Sequence, residues 1–350
     1  MWEAAIDDEP VTAFLQHRAS RSGMPSGLQT TTSSDRLGFS MALMSGALWG
    51  AGAVVLGEAL THGPLAAAGA LFAAPLAAAA LHDCLVLLWV SAVSAATGRL
   101  RAAVAALRTR DGLVICVAAL LGGPLAMSTY LLAIAFAGAP YAMAIASVVP
   151  ALGALFGYAL LHERLGPLGV IGVALAVGGA ILASYAPPAG ASPHYLLGAI
   201  CALASAAGWA AEGVLVTRSM ARVPALAALN IREAVSAGAL LLIVLPTFAA
   251  SGVAARTVAT PTMAILVVAS LCGAGSYLLY YPSLHLLGAS RSMPANSTSV
   301  LWTIGLTLAV TGAWPGWRLV LGGGVVMAGI TLVAADRRSE TPPLSTTGGA

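Results

Sequence analysis

One segment of this chain is written twice. Residues 138–182 and 288–332 align without a gap at an offset of 150: Gly138 meets Gly288, Met143 meets Met293, Gly166 meets Gly316, Gly172 meets Gly322, Gly179 meets Gly329 and Leu182 meets Leu332. The offset persists upstream, where Gly123 meets Gly273 and Tyr130 meets Tyr280. Both copies are strongly apolar. A duplicated apolar unit restricts the fold to two related halves, each burying the other's face, and membrane proteins with internal repeats are built this way.

The solvent follows from composition. Of 350 residues, 59% are hydrophobic and 8% charged, where a soluble domain carries about 25% charged residues. So few charges cannot cover a water-facing surface of this size, so lipid is the main solvent. The 16 cations are all arginine, net charge is +3, and they fall in short loops, which gives no footprint for nucleic acid. Cys84, Cys116, Cys201 and Cys272 sit in separate apolar runs. Their spacing matches no metal or disulfide framework, and they read as small buried hydrophobes. No metal site and no cofactor is expected.

A bilayer-crossing helix needs about 20 apolar residues. Ten stretches qualify: 38–59, 68–97, 112–136, 139–161, 167–186, 195–217, 224–249, 262–286, 289–311 and 316–335. The second contains Pro75 and carries His82 and Asp83 near its middle, so a kinked or broken helix is an alternative there. With the N-terminus in the cytoplasm, 13 arginines fall inside, Arg256 and Arg318 outside, and Arg232 within a span. That bias matches the positive-inside rule and predicts both termini in the cytoplasm. Five spans per copy is an odd number, so the copies enter the membrane in opposite directions as inverted repeats. The fold class expected is an all-α polytopic membrane protein of ten helices, with repeats over 38–186 and 195–335. Residues 1–36 and 336–350 read as polar, disordered cytoplasmic tails. The first lacks the apolar core of a signal peptide, and Met24 offers an alternative start.

The passage SVVPALGALFGYALLHERLGPLG runs from a proline-centred helix through an "ERL" turn into a glycine-rich helix. Together with ten spans and duplication, it resembles the drug/metabolite transporter superfamily, EamA type, over residues 38–335. The resemblance implies a ten-helix bundle with a central cavity, working as a secondary carrier of a small metabolite, amino acid-like solute or drug, with export preferred. The partners it implies are a small-molecule substrate, membrane lipid, and a proton or counter-substrate for coupling. The second copy departs from the pattern, carrying Ala313 and Trp314 where the first has Glu163 and Arg164. In the spans that line the cavity of the resembled family fall Trp49, Tyr130, Tyr141, Trp209, Tyr277, Tyr280, Asn296 and Trp302.

Ionisable groups inside a membrane are costly and are functional candidates by default. Asp83, with His82 beside it, is the candidate for proton coupling. Adjacent residues project about 100° apart on a helix, so the two need not touch. Glu212 and Arg232 reach similar depth and form a candidate ion pair, with Glu233 adjacent, for gating or substrate contact. Read by identity, these charged positions look unmatched between the copies. No Walker, H-E-x-x-H or G-x-S-x-G pattern is present, so an enzyme is not expected. A lipid-carrier flippase, which needs a lateral groove, and an accessory membrane protein, which needs no polar cavity, are the alternative classes.

Overall fold

The computed structural model describes residues 33–67, 71–161, 166–185, 192–312, 314 and 316–335. Residues 1–32, residues 336–350 and the Glu163–Arg164 turn lie outside the described residues; residues 33–36, expected in the N-terminal tail, instead form the first turn of a helix. Among those described, every regular element is helical. The main helices are α1 (Ser33–Ala59), α2 (Ala73–Ala96), α3 (Arg110–Ala137), α4 (Ala139–Ala146 and Val149–Leu161), α5 (Pro167–Ser184), α6 (Tyr195–Ser219), α7 (Ala225–Thr247), α8 (Thr262–Leu287), α9 (Ala289–Asn296 and Ser299–Thr311) and α10 (Trp317–Ala335). Eight of them are long and apolar enough to cross a membrane. Of the other two expected spans, the apolar stretch in α5 is short, and α9 opens on the polar run ASRSMPAN and breaks after it. The chain is a multi-pass membrane protein.

The second stretch is one helix. Pro75 falls in the first turn of α2, where a missing amide costs no helical hydrogen bond. His82 and Asp83 therefore sit mid-helix. Two helices carry a π-turn instead, Leu121–Leu125 in α3 and Leu240–Val244 in α7.

The duplication is visible in local geometry. Gly138 and Gly288 take positive φ, 85° and 79°, a region that glycine enters without a Cβ penalty. Each amide closes the helix before it, Gly138 on Ile134 and Gly288 on Leu284, both at 2.9 Å. Each glycine then starts a helix that breaks at equivalent residues, Ser147–Val148 and Ser297–Thr298.

Packing follows the same exchange. α1 packs on α8 as α6 packs on α3; α1 on α9 as α6 on α4; α2 on α8 as α7 on α3; and α5 on α10 and α2 on α7 are their own counterparts. The α5–α10 seam is made of repeat glycines. A Cβ on Gly172 would lie 2.6 Å from the Gly329 carbonyl, and one on Gly179 would lie 2.7 Å from the Gly322 carbonyl. As the number rises along α5 it falls along α10, so these helices run in opposite senses. Small residues permit such backbone contact, the main source of helix–helix attraction in lipid.

Candidate functional site

Charge inside this bundle is gathered at one point. The guanidinium of Arg232, fully buried, donates from Nε to Glu212 Oε1 at 2.9 Å and from Nη1 to Glu233 Oε1 at 2.8 Å. Nη1 also lies 3.6 Å from Asp83 Oδ2. Nη2 donates to the Gly122 carbonyl at 3.1 Å and to the Tyr277 hydroxyl at 3.0 Å, and the guanidinium stands 4.6 Å from the Tyr277 ring centroid. Asp83 accepts from Ser236 through Oδ2, and its Oδ1 lies 3.0 Å from His82 Nδ1. Glu212 Oε1 also accepts from the Tyr281 hydroxyl at 3.2 Å. The Glu212–Arg232 pair is thus present, and Asp83, His82 and Glu233 join it. His82 does touch Asp83, although adjacent residues on a helix project about 100° apart. Breaking such a buried pair leaves an uncompensated charge and costs about 3–5 kcal/mol.

The backbone of α3 builds part of this site. In the π-turn the Ala126 amide bonds the carbonyls of Leu121 and Gly123 rather than that of Gly122. The Gly122 carbonyl instead accepts from Arg232 and from Trp209 Nε1, the latter at 3.1 Å. Single-turn π-bulges recur at functional sites because they release backbone groups in this way. Gly122 and Gly123 also clear volume. A Cβ on Gly122 would lie 1.7 Å from Glu212 Oε2, and one on Gly123 would lie 2.0 Å from Ser236 Oγ. Gly122, Gly123, Ser236 and Tyr281 were missed as site residues; the GGP run of α3 was their one sequence signal.

The charged positions of α2 and α7 do match between the copies, whereas Glu212 meets His62. At the same offset of 150, His82 corresponds to Arg232 and Asp83 to Glu233. A basic–acidic dipeptide therefore recurs on α2 and α7, and the two copies meet face to face. The reading of Asp83 and Arg232 as unmatched is corrected, since residue identity differs while charge order is kept; Glu212 stays unmatched.

A central cavity of about 70 Å³, measured to the centre of a water molecule, lies against this cluster. Its aromatic lining is Trp49, Trp209, Tyr277, Tyr280 and Tyr281, and Glu212 is its charged lining residue. Asn296 lines it too and donates to Ser45 at 2.8 Å, which bonds Ser276 at 2.9 Å. Trp49 holds the wall together, edge-on to Trp209 at 5.4 Å and stacked on Tyr130 at 5.7 Å. Tyr130 is fully buried behind that wall and does not line the cavity. Tyr141 packs edge-on against Tyr195 at 5.6 Å, away from it. Trp302, expected in the lining, is absent from it and is 51% exposed. The four cysteines are free, Cys201 buried and the others half-buried.

The cavity is asymmetric with respect to the repeat. Tyr277, Tyr280 and Tyr281 line it, whereas their equivalents Met127, Tyr130 and Leu131 are fully buried in packed side chains.

The sequence profile of the EamA-like transporter family matches this chain twice, over residues 36–185 and 196–335. Protein LicB of Haemophilus influenzae is 30% identical over 192 residues, an alignment spanning 53% of this chain and 63% of that protein. A crystal structure of another protein superposes with a TM-score of 0.56 at 20% identity, covering 89% of this chain and 100% of that one. This likeness shows a common fold alone.

Proposed function

The chain belongs to the EamA-like transporter family, and from that premise we propose that it is a secondary transporter moving a small organic cation across the cytoplasmic membrane by alternating access. The observation that carries the substrate class is the cavity wall: five aromatic rings around one carboxylate, Glu212. Ring faces attract a desolvated cation by about 2 kcal/mol or more, and the carboxylate supplies the counter-charge. An ammonium group of this kind is common to amino acid-like solutes and to many drugs.

The architecture we infer is ten spans in two inverted repeats, 38–186 and 195–335, with both termini cytoplasmic. Pairwise exchange of helix contacts and the opposed glycine seam of α5 and α10 support it. Beside Trp49 of α1, residues within 143–149 of α4 and residues within 293–299 of α9, the cavity is lined by the C-terminal halves of α6 and α8, the ends that the arginine bias assigns to the cytoplasm. Loading from that side favours export. The packed equivalents Met127, Tyr130 and Leu131 form the closed outer path, and repeat-exchange of the two halves opens it. Glu212 links the two parts of the machine, since it faces the cavity and is held by Arg232. A solute that competes for Glu212 loosens the pair and so biases the bundle.

The test is solid-supported-membrane current in proteoliposomes given tetraethylammonium, L-arginine or benzoate. Currents for the cations, none for benzoate, and loss in Glu212→Gln are expected. Equal responses to cation and anion, or full cation current in Glu212→Gln, would end this reading.

A further inference from the structure

The charges around Arg232 do not balance. Asp83, Glu212 and Glu233 are three carboxyls against one guanidinium, all of them at least nine-tenths buried. Even with the His82 imidazole counted as the basic partner of Asp83, the carboxyls exceed the basic groups by one; excess negative charge in a membrane interior costs many kcal/mol, and such groups neutralise instead. The cluster therefore takes up a proton, and the hydrogen bonds say where.

Glu212 is served by Arg232 Nε and the Tyr281 hydroxyl. Asp83 is served by Ser236 and by His82 Nδ1. Glu233 receives one bond, from Arg232 Nη1 to Oε1, and its Oε2 is buried without a partner. The repeat explains this shortage. Ser236, which donates to Asp83, corresponds at the offset of 150 to Val86, which has no donor to give back to Glu233. Of the three carboxyls, Glu233 has the least to lose by becoming neutral, since a carboxylate oxygen with no donor is the most costly group to keep charged.

We propose that Glu233 binds the exchangeable proton of this protein, at Oε2, and that Asp83 is a fixed anion holding His82 and Ser236 in place. The step is one of protonation only: the Glu233 carboxylate takes a proton from water on one side of the membrane and returns it to water on the other. The groups around it are Arg232 on its own helix, His82 and Asp83 from α2, the Gly122 carbonyl from α3, Glu212 from α6, and Tyr277 and Tyr281 from α8; the Leu100–Ala106 helix brings only Arg101, which is exposed. His82 is the other group with a buried unpartnered atom, Nε2. The use of the proton to drive transport rests on the carrier reading above, whereas its location does not.

The test is infrared difference spectroscopy of the purified full-length protein in lipid, titrated with pH and without any solute. A stretching band of a protonated buried carboxyl is expected in the wild type, lost in Glu233→Gln and retained in Asp83→Asn. Persistence of the band in Glu233→Gln overturns the proposal, as does its loss in Asp83→Asn. Should Glu233→Gln fail to fold, Asp83→Asn and Glu212→Gln carry the test: retention in both supports Glu233, and loss in either overturns it. A band assigned to Glu233 in a protein that moves none of the three solutes would sink the carrier reading and leave the proton site standing.

Discussion

Glu212 and Gly122 share one volume: the carboxylate on α6 occupies the space where a side chain on α3 would begin, 1.7 Å from the position of a Cβ. The π-turn brings the Gly122 carbonyl to the same guanidinium that holds Glu212. A methyl group there cannot be accommodated by a small shift, because Glu212 is pinned by Arg232 and Tyr281. Gly122→Ala is expected to cost about 1–3 kcal/mol from overpacking, to lower the thermal unfolding temperature in detergent, and to abolish cation currents. Gly238→Ala, where a Cβ meets nothing within 4 Å, is the matched control and leaves both unchanged.

Arg232 is the one guanidinium shared by three buried carboxyls, so removing it is worse than removing any of them. Arg232→Met should destabilise by about 3–5 kcal/mol and fail to accumulate in the membrane. Arg232→Lys keeps the charge but loses the planar fork that reaches Glu212, Glu233, Gly122 and Tyr277 together; it should fold, with a lower unfolding temperature. Neutralising a partner in the same chain, as Arg232→Met with Glu233→Gln, should recover part of the loss. Expression levels and thermal unfolding check all three. Normal accumulation and wild-type unfolding of Arg232→Met would mean the cluster does not hold the bundle.

Much of this was legible in the sequence because it depends on one-dimensional properties. Apolar length marks most of the spans, and the repeat glycines 172, 179, 322 and 329 mark the α5–α10 seam. Each member of the charged cluster stands out singly, since ionisable residues are so rare in the apolar stretches. The pairing of Glu212 with Arg232 was legible from their depth, whereas the arrival of Asp83 and His82 at the same guanidinium was not. Asp83 and Glu233 differ in side-chain length and His82 differs from Arg232, so an alignment by identity passes over them while preserving the order basic then acidic. Gly122 gave no sign of its role because its partner, Glu212, lies 90 positions away. Trp302 looked like a cavity residue because membership in a span says nothing of direction, and a step of one residue turns a side chain by about 100°.

That direction gives a contrast between two tryptophans. Trp49 packs against Trp209, Tyr130 and Tyr277 and forms the cavity wall, whereas Trp302 is exposed and absent from it. Trp49→Ala removes an aromatic face worth about 2 kcal/mol to a desolvated cation, so the half-saturating concentration of tetraethylammonium should rise at least about tenfold. Trp302→Leu exchanges one exposed apolar group for another and should stay within about twofold of wild type. A large effect at Trp302 with none at Trp49 would place the solute path elsewhere.

The glycine seam separates packing from composition. Gly178 and Gly179 are neighbours on α5, and Gly322 and Gly324 lie close on α10. All four are glycine in a membrane helix, so an alanine changes intrinsic propensity equally at each. Their surroundings differ. A Cβ on Gly179 would come 2.6 Å from the Val326 amide nitrogen and one on Gly322 would come 2.6 Å from that of Ala183, while Gly178 and Gly324 meet nothing within 4 Å. Gly179→Ala and Gly322→Ala should each lower the unfolding temperature by forcing the backbones of α5 and α10 apart; Gly178→Ala and Gly324→Ala should not. Because either substitution already opens the same contact, the double variant Gly179→Ala with Gly322→Ala should lose less than the sum of the two single losses. Full additivity would mean that the two glycines act in separate contacts and that α5 and α10 do not meet along a single seam.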